Sequence, residues 1–215
     1  MANIWFWSDP HFGHANILDF TLDDGSKMRP FTSVEEMDEH MVQEFNKLVK
    51  PSDKAYCLGD VAMHKRHLPT MGRLNGHHRL VRGNHDVEKT KEYLKYFEEI
   101  YATRLLDRSL LLSHIPIHPD SLRYDWVNVH GHVHNNIGPL HWGPRYLNVC
   151  VEVTDYRPLA MEEVKQRIQD QKTRNQELIE ANMTRLGVKR WTAEELKRPV
   201  PNGICNDPTV PLDQW

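Results

Sequence analysis

Cysteine is scarce in this chain: Cys57, Cys150 and Cys205 are the three copies among 215 residues. They are odd in number and far apart, which excludes a disulfide framework and fits a reducing cytoplasm, that of the host cell if the chain is phage-encoded. Long apolar runs are missing too, so no segment has the length or composition of a membrane span. The opening residues 1–7 are apolar but short, lack a basic flank and run straight into Asp9 and His11, so we expect no export signal. A basic surplus is also lacking. Lysine and arginine number 27 against 30 aspartates and glutamates, a formal charge of −3. Proteins that grip long nucleic acid through its backbone carry surplus positive charge. The expectation is therefore a small substrate, with no membrane and no long polymer as partner. What the chain does have is histidine, 14 copies of a common metal ligand and proton carrier.

Apolar, β-branched or aromatic stretches predict strands over residues 3–8, 55–58, 78–81, 126–130 and 146–153. Residues 101–106 and 110–113, joined by a turn at Asp107-Arg108-Ser109, predict a hairpin. Ser33 and Glu36 have the spacing of a capping box, and Val34, Met37, Met41, Phe45 and Leu48 follow at helical intervals up to the stop at Pro51. Helical stretches are also expected at residues 65–74, 87–97 and 159–182. Glu163/Arg167 and Asp170/Arg174 sit four apart on the last of these. A second capping box at Thr192 and Glu195 precedes a proline-bearing tail with Pro199, Pro201, Pro208 and Pro211. Strands alternating with helices predict a mixed α/β fold. We divide the chain into a catalytic domain, residues 1–158, and a helical and extended C-terminal appendage, residues 159–215, which offers a surface for homo-oligomerisation.

Four of these strands end in clusters of Asp, Asn or His. Asp9 and His11 stand two apart, as an extended segment would need to aim both at one cation. Gly59-Asp60 supplies a carboxylate whose two oxygens can bridge cations. Gly83-Asn84-His85-Asp86 combines a neutral oxygen donor, a candidate acid and a carboxylate placed to orient it. Ser113-His114 closes a leucine run, and Gly131-His132-Val133-His134 puts two imidazoles on one strand end. Taken singly, most of these are ordinary turn or core chemistry. Together Asp9, His11, Asp60, Asn84, His114, His132 and His134 make a set of seven oxygen and nitrogen donors without a thiolate. Such a set suits two divalent ions, with Mn²⁺ favoured over Fe²⁺, Ni²⁺ or Zn²⁺. Among the other histidines, His14 follows the first cluster closely enough to support it. His77 and His78 are expected in a turn and His130 in a strand. His40, His64, His67, His118 and His141 have no cluster to join.

The order of the five clusters resembles the calcineurin-like metallophosphoesterase superfamily: D-x-H, G-D, G-N-H-D, a lone histidine and G-H-x-H. One departure is Ser113, where that family often has glycine. Residues 9–17 and 151–158 look like its small phage and bacterial members. The resemblance implies a β-sandwich flanked by helices in four layers. It implies one ion held by Asp9, His11 and His134, a second by Asn84, His114 and His132, and Asp60 bridging both. It makes His85 the acid, oriented by Asp86, and Asn84 and His85 the substrate contacts. The implied reaction is attack on phosphorus by a hydroxide generated between the ions, followed by protonation of the departing ester oxygen by His85. Val61, Ala62 and Met63 after Asp60 depart from both the protein Ser/Thr phosphatase pattern and the tyrosine ligand of purple acid phosphatases. The expectation is a phosphodiesterase acting on small nucleotides such as 2′,3′-cyclic nucleotides. Alternatives are a nuclease or phosphomonoesterase of the same superfamily, or a non-catalytic scaffold. Tyr124, Trp126 or Trp142 could stack a base, although core packing is the usual fate of such residues.

Overall fold

A computed structural model of the chain describes residues 2–135 and 140–186, without the side chains of residues 140–142, 183 and 186. Trp142, His141, Cys205, the second capping box and the proline-bearing tail lie outside what is described. The chain divides into two compact units, Met1–Asn175 and Gln176–Trp215.

The first unit contains a five-stranded and a four-stranded sheet. The first sheet is built from β1 (Ile4–Trp7), β2 (Lys54–Cys57), β3 (His77–Val81), β4 (Glu99–Tyr101) and β9 (Leu159–Ala160), in the order β4-β3-β2-β1-β9. Its pairs are parallel except for β9 on β1. The second holds β5 (Arg104–Leu106), β6 (Leu110–Leu112), β7 (Val127–His130) and β8 (Tyr146–Asn148), in that order. It is parallel except for β5 on β6. Helices flank the sheets: α1 (Val34–Leu48), the single turn α2 (Thr90–Tyr93) and α3 (Met161–Leu186).

Strand periodicity decides which residue enters which core. Trp5, Trp7, Ala55, Cys57 and Leu80 face the cluster that receives Met37, Met41, Val42 and Phe45 of α1. Their neighbours Phe6, Tyr56, Leu58 and Val81 turn the other way. They share a second cluster with Leu110, Leu112, Val127, Val129 and Leu147 of the second sheet and with Val164 and Ile168 of α3. Each apolar side chain buried this fully contributes about 1.5–3 kcal/mol. Ser33 caps α1 as expected, its hydroxyl accepting from Glu36 N at 3.1 Å, while the Glu36 carboxylate reaches back one residue further, to Thr32 N.

Several sequence expectations are corrected. The predicted hairpin forms, β5 pairing antiparallel with β6 across the turn at 107–109, but its first arm is shorter than 101–106: Tyr101 ends β4 in the first sheet, and the chain crosses between sheets at residues 102–103. The predicted helix over 87–97 shrinks to α2. Arg82 captures the carbonyls of Asp86 and Glu88, which a helix starting there would need. The predicted strand 146–153 stops at Asn148. The chain then leaves β8 for β1, with Val151 N donating to Ser8 O at 3.0 Å, and makes a tight turn over Val151–Val153. The strand predicted over 78–81 forms as β3 and starts one residue earlier, at His77, so neither His77 nor His78 lies in a turn. The domain boundary falls later than residue 158, because β9 completes the first sheet and the opening turns of α3 enter the core. Of the second unit, only the last turns of α3 are described; they are largely exposed and carry Glu177, Glu180 and Arg185 beside exposed Leu178 and Ile179.

Candidate metal centre

Every cluster singled out in the sequence leaves the carboxyl end of a parallel strand. Asp9 and His11 follow β1, Asp60 follows β2, Asn84 and His85 follow β3, His114 follows β6, and His132 and His134 follow β7. That end of a parallel sheet is where connecting loops converge. The loops after β1 and β2 are stitched together by Asp9 N to Gly59 O (3.1 Å), His11 N to Asp60 O (3.1 Å) and Phe12 N to Val61 O (3.0 Å).

The donors gather into two groups, Asp9, His11 and His134 in one and Asp60, His114 and His132 in the other. Within each group the ligand atoms lie within 4.8 Å of one another. Asn84 joins the second group, its Oδ1 lying 2.9 Å from His114 Nε2. Asp60 stands between them: its Oδ2 is 3.6 Å from His11 Nε2 and 3.3 Å from His114 Nε2. Its other oxygen accepts from His85 N at 2.8 Å, which sets the direction of the carboxylate.

The i,i+2 logic of extended strands does not produce this arrangement. Asp9, His11, Asp60, His132 and His134 have φ of 59°, 49°, 55°, 71° and 50°. Left-handed backbone at non-glycine residues costs about 1–3 kcal/mol per residue. The strain sends His132 and His134 to different groups where a regular strand would keep them on one face. Close approach supplies the remaining constraint. A Cβ on Gly83 would lie 2.2 Å from Asp60 Oδ1, and one on Gly131 would lie 2.0 Å from Ser8 Oγ and 2.3 Å from Asp9 Oδ2.

Two of the imidazoles could offer Nε2 to a cation. His114 Nδ1 contacts Leu58 O at 2.7 Å and His134 Nδ1 contacts Glu152 Oε1 at 2.8 Å. Each contact fixes the proton on Nδ1 and leaves the Nε2 lone pair directed into the site. Asp9 Oδ1 and both nitrogens of His11 are buried without a hydrogen-bond partner among the described residues. Buried polar atoms are normally paired, and a divalent ion between these donors would satisfy them. Burial opposes charge on Asp9 and Asp60, but the neighbouring His11, His114 and His134 rings outweigh it and hold Asp9 below the usual carboxylate range. His114 does the same for Asp60. Burial lowers His132, helped by the His114 ring beside it.

His85 is exposed at the rim, its ring 5.6 Å from that of His11. Asp86 does not orient it. The Asp86 carboxylate is buried and accepts from Gly83 N (2.8 Å), Asp60 N (2.9 Å) and Val61 N (3.0 Å), so it clamps the loops after β2 and β3 to each other. His14 is half-buried with its ring 5.7 Å from that of His11, and burial, then the His11 and Arg29 charges, take it down to about 4. His130 is a buried strand residue as expected. Tyr124 is not a core residue. It is 87% exposed and, like Trp126, precedes β7, at the end of the sheet opposite the donors.

Sequence reading missed three contributors. Arg29 is fully buried and donates to Asp9 O at 2.6 Å and Pro10 O at 2.8 Å. Glu152 links Arg29 to His134. Cys150, placed outside the clusters by the sequence, donates its thiol to Asp9 Oδ2 at 3.2 Å, and burial pushes that thiol well above its ordinary range. A charged residue amid Cys150, Val151 and Val153 was the available signal for Glu152. Arg29 has none in its neighbourhood.

No family model matches the chain. It is 31% identical over 173 residues to the uncharacterized protein MJ1445 of Methanocaldococcus jannaschii, covering 75% of this chain and 89% of that one. It is 27% identical over 204 residues to the Gene 66 protein of Mycobacterium phage D29, covering 79% and 98%. The crystal structure of AQ665 from Aquifex aeolicus, a protein of unknown function, superimposes with a TM-score of 0.59 at 30% identity, over 77% of this chain and 99% of that one. On the extent and identity of the first of these matches, the chain belongs to the family of MJ1445.

Proposed function

We propose that the protein is a two-metal phosphoesterase of the calcineurin-like type, and that it hydrolyses small nucleotide phosphodiesters such as 2′,3′-cyclic nucleotides. The two sheets sharing one apolar core, with helices outside them, are read as the sandwich of that superfamily. The observation that carries the proposal is the position of Asp60 Oδ2, within 3.6 Å of His11 Nε2 and 3.3 Å of His114 Nε2, between two three-residue donor groups.

Asp9, His11 and His134 would hold one divalent ion, and Asn84, His114 and His132 a second, with Asp60 shared. Mn²⁺ is the favoured metal. When bound, such a pair supplies positive charge to the phosphoryl oxygens and lowers the pKa of water between the ions. The chain's own groups do the rest. Asn84, exposed beside His114, can donate its amide to a phosphoryl oxygen while its carbonyl, 2.9 Å from His114 Nε2, would serve as the ligand of the second ion. His85 reaches the same space from the rim and, protonated, gives its proton to the departing ester oxygen. Its backbone is tethered to Asp60, so acid and bridging carboxylate keep their spacing.

A substrate panel with added Mn²⁺ tests this: a generic aryl diester, 2′,3′- and 3′,5′-cyclic nucleotides, an aryl monoester and a single-stranded oligonucleotide. Turnover of the diesters, lost in His85→Ala with Mn²⁺ binding retained, is the expected result. Untouched diesters beside a hydrolysed monoester overturn the diesterase assignment. Salt-dependent cleavage of the oligonucleotide alone would make the protein a nuclease. A fully active His85→Ala protein removes the acid role.

A further inference from the structure

We infer that Arg29 and Glu152 act as one buried positioning pair that joins the two halves of the Asp9–His11–His134 donor group. The inference rests on reading that group as a metal site and adds residues to which the sequence clusters assign no role.

Glu152 Oε1 collects three donors: Arg29 Nε at 2.8 Å, Arg29 Nη2 at 2.6 Å and His134 Nδ1 at 2.8 Å. The same guanidinium spans the strained turn on the other side, with Nη2 on Asp9 O at 2.6 Å and Nη1 on Pro10 O at 2.8 Å. Both side chains are inaccessible to solvent, at 0% and 1%. One planar fork therefore ties a left-handed turn carrying two donors to the imidazole carrying the third, across 123 residues of sequence. Lysine cannot replace it, because a single ammonium cannot reach the carboxylate and two carbonyls in fixed directions.

The electrostatics point the same way. A buried guanidinium beside an ion site would repel the incoming cation and be costly to desolvate. Glu152 cancels that charge locally. The negative oxygen then lies against His134 Nδ1–H, which fixes the tautomer and makes Nε2 a better donor. Among the described residues Glu152 is bonded to His134 and to no other proposed ligand, and Arg29, apart from Glu152 and Met37 Sδ, is bonded to the Asp9 and Pro10 carbonyls alone. Neither is bonded to Asp60, Asn84, His114 or His132 among the described residues. The pair should therefore serve one ion and leave the other alone.

The test is Mn²⁺ titration by calorimetry of the full chain and of Glu152→Gln, Glu152→Ala, Arg29→Lys and Arg29→Met, with ¹⁵N NMR of the His134 ring in the metal-free protein. Wild type is expected to bind two ions and to carry its His134 proton on Nδ1. Glu152→Ala should weaken one ion about 10–100-fold, leave the other unchanged and shift the His134 proton toward a tautomer mixture. Glu152→Gln keeps an acceptor and the volume, so it should retain the Nδ1 proton and recover part of the affinity. It also carries the test if Glu152→Ala does not fold. Wild type binding two ions with Glu152→Gln and Arg29→Lys matching it at both overturns the positioning role alone. Equal weakening of both ions in a folded variant reduces the pair to a structural role. A wild-type protein that binds no Mn²⁺ overturns the metal reading and this inference together.

Discussion

Gly131→Ala is the sharpest perturbation of the site. Gly131 does not occupy the left-handed region, so alanine meets no backbone penalty there. The new methyl would lie 2.0 Å from Ser8 Oγ and 2.3 Å from Asp9 Oδ2, where ordinary contact begins at 3.4 Å. Asp9 Oδ2 must therefore retreat by roughly 1 Å, and overpacking of this kind costs about 1–3 kcal/mol. It has no free direction, because it already accepts from His132 N at 2.9 Å and Cys150 Sγ at 3.2 Å. For a domain of this length the cost corresponds to a melting point lower by about 2–12 °C. The specific consequence is at the ion that Asp9 would hold. Gly25→Ala is the control: Gly25 has φ of 81° and nothing within 4 Å of a built Cβ, so alanine there costs strain alone. That strain is about 1–2 kcal/mol, a comparable loss of stability. Differential scanning fluorimetry and Mn²⁺ calorimetry on both variants separate the effects. Both should melt earlier, and Gly131→Ala alone should weaken one ion. A Gly131→Ala protein with wild-type melting and wild-type binding of both ions would refute the placement of Asp9 against the 131–134 turn.

Two further outcomes follow from carboxylates, Asp86 buried and Asp38 half-buried. Asp86→Ala leaves three loop N–H groups without their acceptor, each worth about 1–3 kcal/mol, so thermal unfolding should occur at least about 6 °C earlier. Unfolding at the wild-type temperature would show that water replaces the clamp. Asp38 is pushed up to about 7 by burial, against the opposing pull of the Gly13 N–H and Arg29. Its folded value lies above its unfolded one, so its contribution to stability is full below the ordinary carboxylate range and is lost as pH rises through about 7. Melting temperature followed across that window should fall with pH in wild type and less steeply in Asp38→Asn, and parallel curves would assign the trend to other groups.

The sequence by itself determined the elements whose signals are local. The buried apolar strand Ile4–Trp7, the Ser33 cap and the helical spacing of Met37, Met41 and Phe45 depend on neighbours within a turn or two, and the structure keeps them. It also determined that donors would sit at strand ends, because each cluster directly follows an apolar run. Tertiary structure alone decided what those donors share. Whether residues 101–106 form one strand or two, and where β8 stops, depends on which sheet offers open edge hydrogen bonds. Asp86 went to three backbone N–H groups instead of His85, since a buried carboxylate takes the donors that burial places around it. The parting of His132 from His134, and the pairing of Arg29 with Glu152 across 123 residues, come from left-handed backbone and from burial of opposite charges. Neither is written in local spacing, because both exist only once the loops after β1 and β7 have been packed against each other.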